Sequence, residues 1–145
     1  MAFKCISGDD TSVPMYCGAS SSLAVGALVV YDVSTGAAVS PVIDATAALL
    51  AENVAGVVAT APSSADAFCN VIPIRGQLWE YDTTSNTADA QLGKCNDLTD
   101  SVTVANSTTI STANTAFVRN LSARGAASDK KMVGMILGGQ DAIAN

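Results

Sequence analysis

A chain of 145 residues in which Ala, Ser, Thr and Gly dominate and aromatics make up only 5% describes one domain with a thin core that would gain from association. Lys+Arg 7 against Asp+Glu 13 leaves a net charge of -6, with no cationic footprint for phosphates, so nucleic acid is not expected as a partner. Histidine is absent, which removes Ser-His and Cys-His catalysis and imidazole metal sites together and leaves only carboxylate or lysine chemistry.

In chain order, residues 1–23 read as a polar extended arm, with Asp9-Asp10, Pro14, Gly18 and Ser20-Ser21-Ser22 between the apolar points Phe3, Ile6, Val13, Met15 and Tyr16. The start lacks the apolar stretch of a secretory signal, and no run approaches the roughly eighteen apolar residues of a membrane helix. A soluble chain made in a cytoplasm, with no membrane partner, is the expectation.

Short strand-like runs bounded by turn formers follow over 24–138: Leu28 to Val33, Ala37 to Ile43, Asn53 to Thr60, Phe68 to Tyr81, Ser101 to Ala105, Ala116 to Leu121 and Met132 to Leu137. Leu28 to Val33 is apolar on both alternating faces, as in a central strand covered on each side. In Ser101 to Ala105, Val102 and Val104 share one face, the pattern of a half-exposed strand. Asp44 to Glu52 has a capping residue and good helix formers, and reads as one short helix that connects strands. Gly138-Gly139 releases a tail over 139–145. The expected fold is all-β: a single-domain sandwich or barrel with one short helix and an N-terminal arm.

Two strand-and-turn phrases match as G-x-L-x-x-Y-D-x-[ST]-[ST], from Gly26 to Thr35 and from Gly76 to Ser85. In each, a permissive glycine precedes a strand that ends where Asp and Ser/Thr bond to the turn backbone. Along Val71 to Tyr81, strict alternation puts Trp79 and Tyr81 on the face of Arg75 and Gln77, opposite Ile72, Ile74 and Leu78, unless a bulge at Gly76 reverses it. Pro73 makes the strand irregular or places it at an edge. Trp79 then reads as a core residue or as an aromatic anchor in an interface.

Candidate chemistry is sparse. Asp9-Asp10, Asp82, Asp97, Asp100 and Asp129 sit in turn contexts, and none matches a calcium loop. Gly134 to Gly139 lacks the Lys-Ser/Thr of a phosphate loop. The sequons Asn106-Ser107-Thr108 and Asn120-Leu121-Ser122 read as chance matches. Cys5, Cys17, Cys69 and Cys95 are too widely spaced for a zinc knuckle. They are either ordinary thiols or the partners of one or two late disulfides, with three full pairings open. No catalytic residue, metal ligand or cofactor is assigned, and the chain does not read as an enzyme.

The order of G-x-L-V-x-Y-D (from Gly26), V-A-G-V-V (Val54 to Val58), I-R-G-Q-L-W-E-Y-D (Ile74 to Asp82), L-G-K-x-x-D-L-T-D (Leu92 to Asp100) and K-x-V-G-x-I-L (Lys131 to Leu137) resembles the small β-rich decoration, or cement, proteins of tailed-bacteriophage capsids. The likeness spans about residues 24 to 138. It implies a virion protein of the outer capsid surface, commonly a homotrimer, that clamps neighbouring major capsid subunits. The four cysteines depart from the simplest members. On that reading the partner contacts are Phe3, Lys4 and Ile6 of the arm, ordered on a neighbour, with Arg75 and Trp79. A carbohydrate- or receptor-binding module of a phage fibre or cell surface is the alternative, and a hydrolase built on paired carboxylates is a third reading.

Overall fold

The computed structural model describes residues 3–18, 22–32, 37–39, 54–63, 67–106 and 117–137. Their strands are β1 (Lys4–Ser7), β2 (Val13–Tyr16), β3 (Leu28–Tyr31), β4 (Ala38–Val39), β5 (Val54–Thr60), β6 (Phe68–Pro73), β7 (Leu78–Thr83), β8 (Cys95–Asn96), β9 (Leu98–Asp100), β10 (Thr103–Val104), β11 (Val118–Ala123) and β12 (Lys131–Ile136). The fold is all-β, and the helices among the described residues are single 3-10 turns at Asp89–Gln91 and Ala127–Asp129. The helix expected at Asp44 to Glu52 and the tail at 139–145 lie outside the described residues.

Two sheets form. One is antiparallel in the order β2-β6-β5-β3-β4. The other runs β8-β11-β12-β7-β10-β9, with β1 also paired to β7. β7 is its hub: β12 lies along one side, while β1 (opposite Leu78 to Glu80) and β10 (opposite Asp82 and Thr83) share the other. The sheets are joined where the Leu28 amide donates to the Ser101 carbonyl (2.8 Å) and the Phe3 amide to the Gly26 carbonyl (2.9 Å), so together they form a nearly closed, barrel-like wall.

Lys4–Ser7 and Val13–Tyr16 are therefore paired strands and not parts of a free arm. β1 is a strand of one sheet and β2 an edge strand of the other, because each offers a run of backbone donors and acceptors that a neighbouring strand satisfies. The run Phe68 to Tyr81 also departs from expectation. It is two strands in different sheets, separated at Gly76, whose φ of 76° suits a glycine turn. Ile72 and Trp79 thus approach the same core from opposite walls instead of pointing to opposite faces of one strand.

β7 alternates half-buried and buried side chains, with Trp79, Tyr81 and Thr83 inward. Trp79 and Tyr81 pack with Phe3, Leu28, Val57, Phe117 and Met132 in the core between the sheets. Alternate residues Val29, Val58 and Val71 turn to the opposite face of the five-stranded sheet and form a second cluster with Cys17, Leu23 and Cys69. That sheet is buried on both faces, which is why Leu28-Val29-Val30 carries no polar alternation.

The Tyr81 hydroxyl reaches the core and donates to Asn120 Oδ1 (2.7 Å); the Asn120 amide donates to Asn96 Oδ1 and the Gln91 carbonyl, and the Asn96 amide to the Ala105 carbonyl (3.1 Å). Burial, then the nearby Cys95, pushes the Tyr81 phenol far above its ordinary value, so it remains a neutral donor. Gly134 makes room for it: a Cβ there would collide with the Tyr81 hydroxyl and the Arg119 carbonyl. Asn106 is likewise buried and bridges the Ser85 amide (2.8 Å) and carbonyl (3.0 Å). Both sequon asparagines are thus internal structural groups.

Asn120→Ala leaves the Tyr81 hydroxyl and Asn96 short of partners and should cost about 2–3 kcal/mol in urea unfolding, part of it recovered when Tyr81→Phe is added. Next to this network, Lys131 Nζ donates to Asp82 Oδ1 at 2.6 Å. Burial is the largest influence on Asp82 and opposes its ionisation, but the hydrogen bond and charge of Lys131, together with its other partners, outweigh it and hold the carboxyl below its ordinary range; the same bond raises Lys131. A carboxyl lowered on folding stabilises above its unfolded value and loses that contribution as pH falls through the folded one. Wild-type stability should therefore fall more steeply between about pH 6 and about pH 2 than that of Asp82→Asn, compared by urea midpoints.

Candidate functional site

The five contact residues expected from the sequence do not form one exposed patch. β1 lies against β7 with Lys4 opposite Glu80 and Cys5 opposite Trp79. Phe3 is buried, its ring 5.5 Å from that of Tyr81. Trp79 has an exposure of 0%, and its indole Nε1 is a buried donor with no partner among the described residues. Phe3, Lys4 and Trp79 do converge, around a cleft of about 330 Å³ that Asp10, Val25 and Ile72 also line. Phe3 and Trp79 belong to its floor and to the core, so neither projects as an anchor. Ile6 is half-buried in β1.

Arg75 is occupied within the chain. From the β6–β7 turn its guanidinium donates to the Thr11 carbonyl (3.0 Å) and lies 3.5 Å from the Asp9 carboxylate. Buried Gln77 completes the clasp: its amide donates to the carbonyls of Asp9 (2.8 Å) and Pro73 (2.7 Å). Hydrogen bonds from Thr11, and then the charge of Arg75, hold the Asp9 carboxyl below its ordinary value. These two side chains fasten the link between β1 and β2 over the turn, a long-range role that a sequence read strand by strand does not reveal.

The large aromatic side chains that do face solvent are elsewhere. β2 and β6 pair with Tyr16 opposite Phe68, and the two rings meet edge to face at 5.9 Å and 70°. Tyr16 is 47% exposed and Phe68 59%. They form a ledge at the β2 edge of the five-stranded sheet, where no further strand pairs among the described residues. Beside Phe68, a shallow pocket of about 140 Å³ is lined by Thr60, Ala61, Cys69 and Asn70. Pro14 on β2 has no amide hydrogen, which blunts this edge against open-ended strand pairing. On the opposite face, half-exposed Tyr31 donates from its hydroxyl to Met15 Sδ at 3.6 Å.

Most of the turn carboxylates serve their own backbones. Asp9 accepts from the Thr11 amide (2.9 Å), Asp97 from Leu98 (2.7 Å), Asp100 from Val102 (2.9 Å) and Asp129 from Ala126 (2.8 Å). Among the described residues no group of three or more Cys, Asp or Glu is placed to hold a metal ion, and no helix is long and apolar enough to cross a membrane. The arrangement offers a surface for contact: an aromatic ledge at a sheet edge, on a body whose buried polar groups are largely satisfied from within.

Nothing in the sequence marks the ledge as such. Tyr16 reads as an apolar point of the arm and Phe68 as the start of a strand; the available signal is an aromatic at the end of each polar-flanked run, and only strand pairing makes them neighbours. Comparison with protein-family models, with curated proteins and with solved structures finds no match for this chain.

The two kinds of aromatic position should separate cleanly in unfolding experiments. Trp79→Ala opens a large cavity and should cost about 3–5 kcal/mol, while Phe68→Ala should change stability by under about 1 kcal/mol, both measured by chemical denaturation.

Proposed function

We propose that this chain is a structural virion protein that decorates the outer surface of a tailed-phage capsid, joining neighbouring major capsid subunits, and that it acts as a homotrimer and not as an enzyme. The observation that carries this reading is the exposed Tyr16–Phe68 ledge, presented at a sheet edge by a small, acidic, all-β body. Aromatic side chains half in water gain free energy when a partner covers them, at about 25 cal/mol per Å² of apolar surface, and they are the residue types that concentrate binding energy at interfaces. The strand-and-turn phrases in the sequence supply the class of partner. A net charge of -6 suits the outside of a shell, away from packaged nucleic acid.

On this reading the docking residues are Tyr16 and Phe68 in place of Phe3 and Trp79. Each contact is small, and three subunits engaging three sites together raise the avidity well above that of one. The alternative, a carbohydrate-binding module, also uses exposed aromatics. Rings inclined at 70° present an edge and a face, which suits an apolar protein side chain better than the flat face of a sugar.

The test pairs light scattering with co-sedimentation on capsids of the virus that carries the gene. A trimer that saturates capsids is expected, with occupancy at fixed concentration reduced by about tenfold or more in Tyr16→Ala/Phe68→Ala, a variant that keeps the fold. A monomer without capsid affinity, or a saccharide bound selectively on a glycan array, would overturn it.

A further inference from the structure

Of the four thiols, two are built into one site. Met15 of β2 stands opposite Cys69 of β6, and the Cys17 amide extends the pairing by donating to the Ala67 carbonyl at 2.8 Å. Cys17 and Cys69 therefore lie on the same face as diagonal cross-strand neighbours, roughly 7–8 Å apart at the backbone, so closing a bridge draws the end of edge strand β2 slightly toward β6. Both are buried, at 6% and 4% exposure, in the cluster with Leu23, Val29, Val58 and Val71, where the Cys17 thiol donates to the Gly18 carbonyl at 3.7 Å. Cys5 belongs elsewhere, on β1 opposite Trp79, with its thiol directed to the Ser7 carbonyl. Cys95 sits on β8 opposite Arg119.

We propose that Cys17 and Cys69 form an oxidisable latch, closed as a disulfide by a small peroxide, that welds the chain end of edge strand β2 to β6. The neighbours of these cysteines in sequence are Tyr16 and Phe68, which project from the other face of the same two strands. The bridge would lie directly behind the aromatic ledge and hold its two rings in register. The latch rests on the thiol geometry alone and does not depend on what docks there.

The chemistry balances without a metal. One sulfur, as thiolate, attacks a peroxide oxygen and breaks the O–O bond, giving a sulfenic acid and hydroxide, which takes up the thiol proton as water. The second sulfur then displaces the sulfenic oxygen, which leaves as a second water. Two thiols lose two electrons and two protons, and one hydrogen peroxide becomes two waters. The pocket of about 140 Å³ that Cys69 lines admits a molecule of that size. Burial, then the adjacent Cys17, pushes the Cys69 thiol up to about 11, so the open dithiol is slow to react near neutral pH. The closed form would constrain the loop between residues 17 and 69 in the unfolded chain.

The test treats the full-length protein with hydrogen peroxide at about pH 9, where more thiolate is present, then blocks remaining thiols with an alkylating agent. A protease cutting before aspartate places the cysteines in separate peptides, 1–8, 10–31, 66–81 and 89–96. The expected product joins 10–31 to 66–81 with Cys5 and Cys95 still alkylated, and raises Tm by roughly 5–10 °C, reversed by dithiothreitol. Cys17→Ser should abolish both the linked peptide and the Tm rise; Cys5→Ser, kept as a control against misfolding, should preserve both. A linkage through Cys5 or Cys95, four alkylated cysteines after prolonged exposure, or sulfinic acid at Cys69 without a bridge would each overturn the assignment.

Discussion

The structure depends on a tyrosine hydroxyl that must be satisfied away from water. Tyr81 points inward from the hub strand β7, and its hydroxyl would be an orphan without Asn120 on β11. β12 lies between those two strands, so the bond spans a strand, and it passes where Gly134 has no side chain. A buried donor without an acceptor costs about 1–3 kcal/mol, a large part of a small domain's stability. The positions of Asn120, Asn96 and Gly134 are consequences of that one group.

With few bulky residues, the protein uses its apolar side chains on both faces of one sheet. Neighbours such as Val29 and Val30, or Val57 and Val58, serve different clusters. Trp79 and Phe117, both fully buried, fill the space between the sheets. Thr11, Asp9, Arg75 and Gln77 then fasten the link between β1 and β2 by hydrogen bonds, where apolar burial is scarce. The aromatics left outside, Tyr16 and Phe68, share a pair of strands with Cys17 and Cys69, so the surface best suited to a partner and the buried dithiol are two sides of one strand pairing.

Much of the scaffold was legible in the residues. The two-faced apolar run at Leu28 announced a strand covered on both sides, and the run led by Gly76 ended at Thr83, whose hydroxyl donates to the Ser85 carbonyl of the following turn. Gly76 was legible only as a possible break, because a glycine permits a turn without requiring one. β1 and β2 are not legible as strands because they are four residues each, and so short a strand exists only through its neighbours. Nor does the sequence contain anything to separate a chance sequon asparagine from the acceptor of a buried tyrosine.

The sequence by itself determined an all-β chain, its acidic balance and the absence of histidine chemistry, since composition and period-two patterning are local properties carried by each segment alone. Tertiary structure decided that Trp79 and Phe3 belong inside while Tyr16 and Phe68 stay outside, that Arg75 is spent on Asp9 and Thr11, and that Cys17 meets Cys69. Those outcomes turn on which strands pair and in which register, and register is set by the joint burial of residues tens of positions apart, which no single segment encodes.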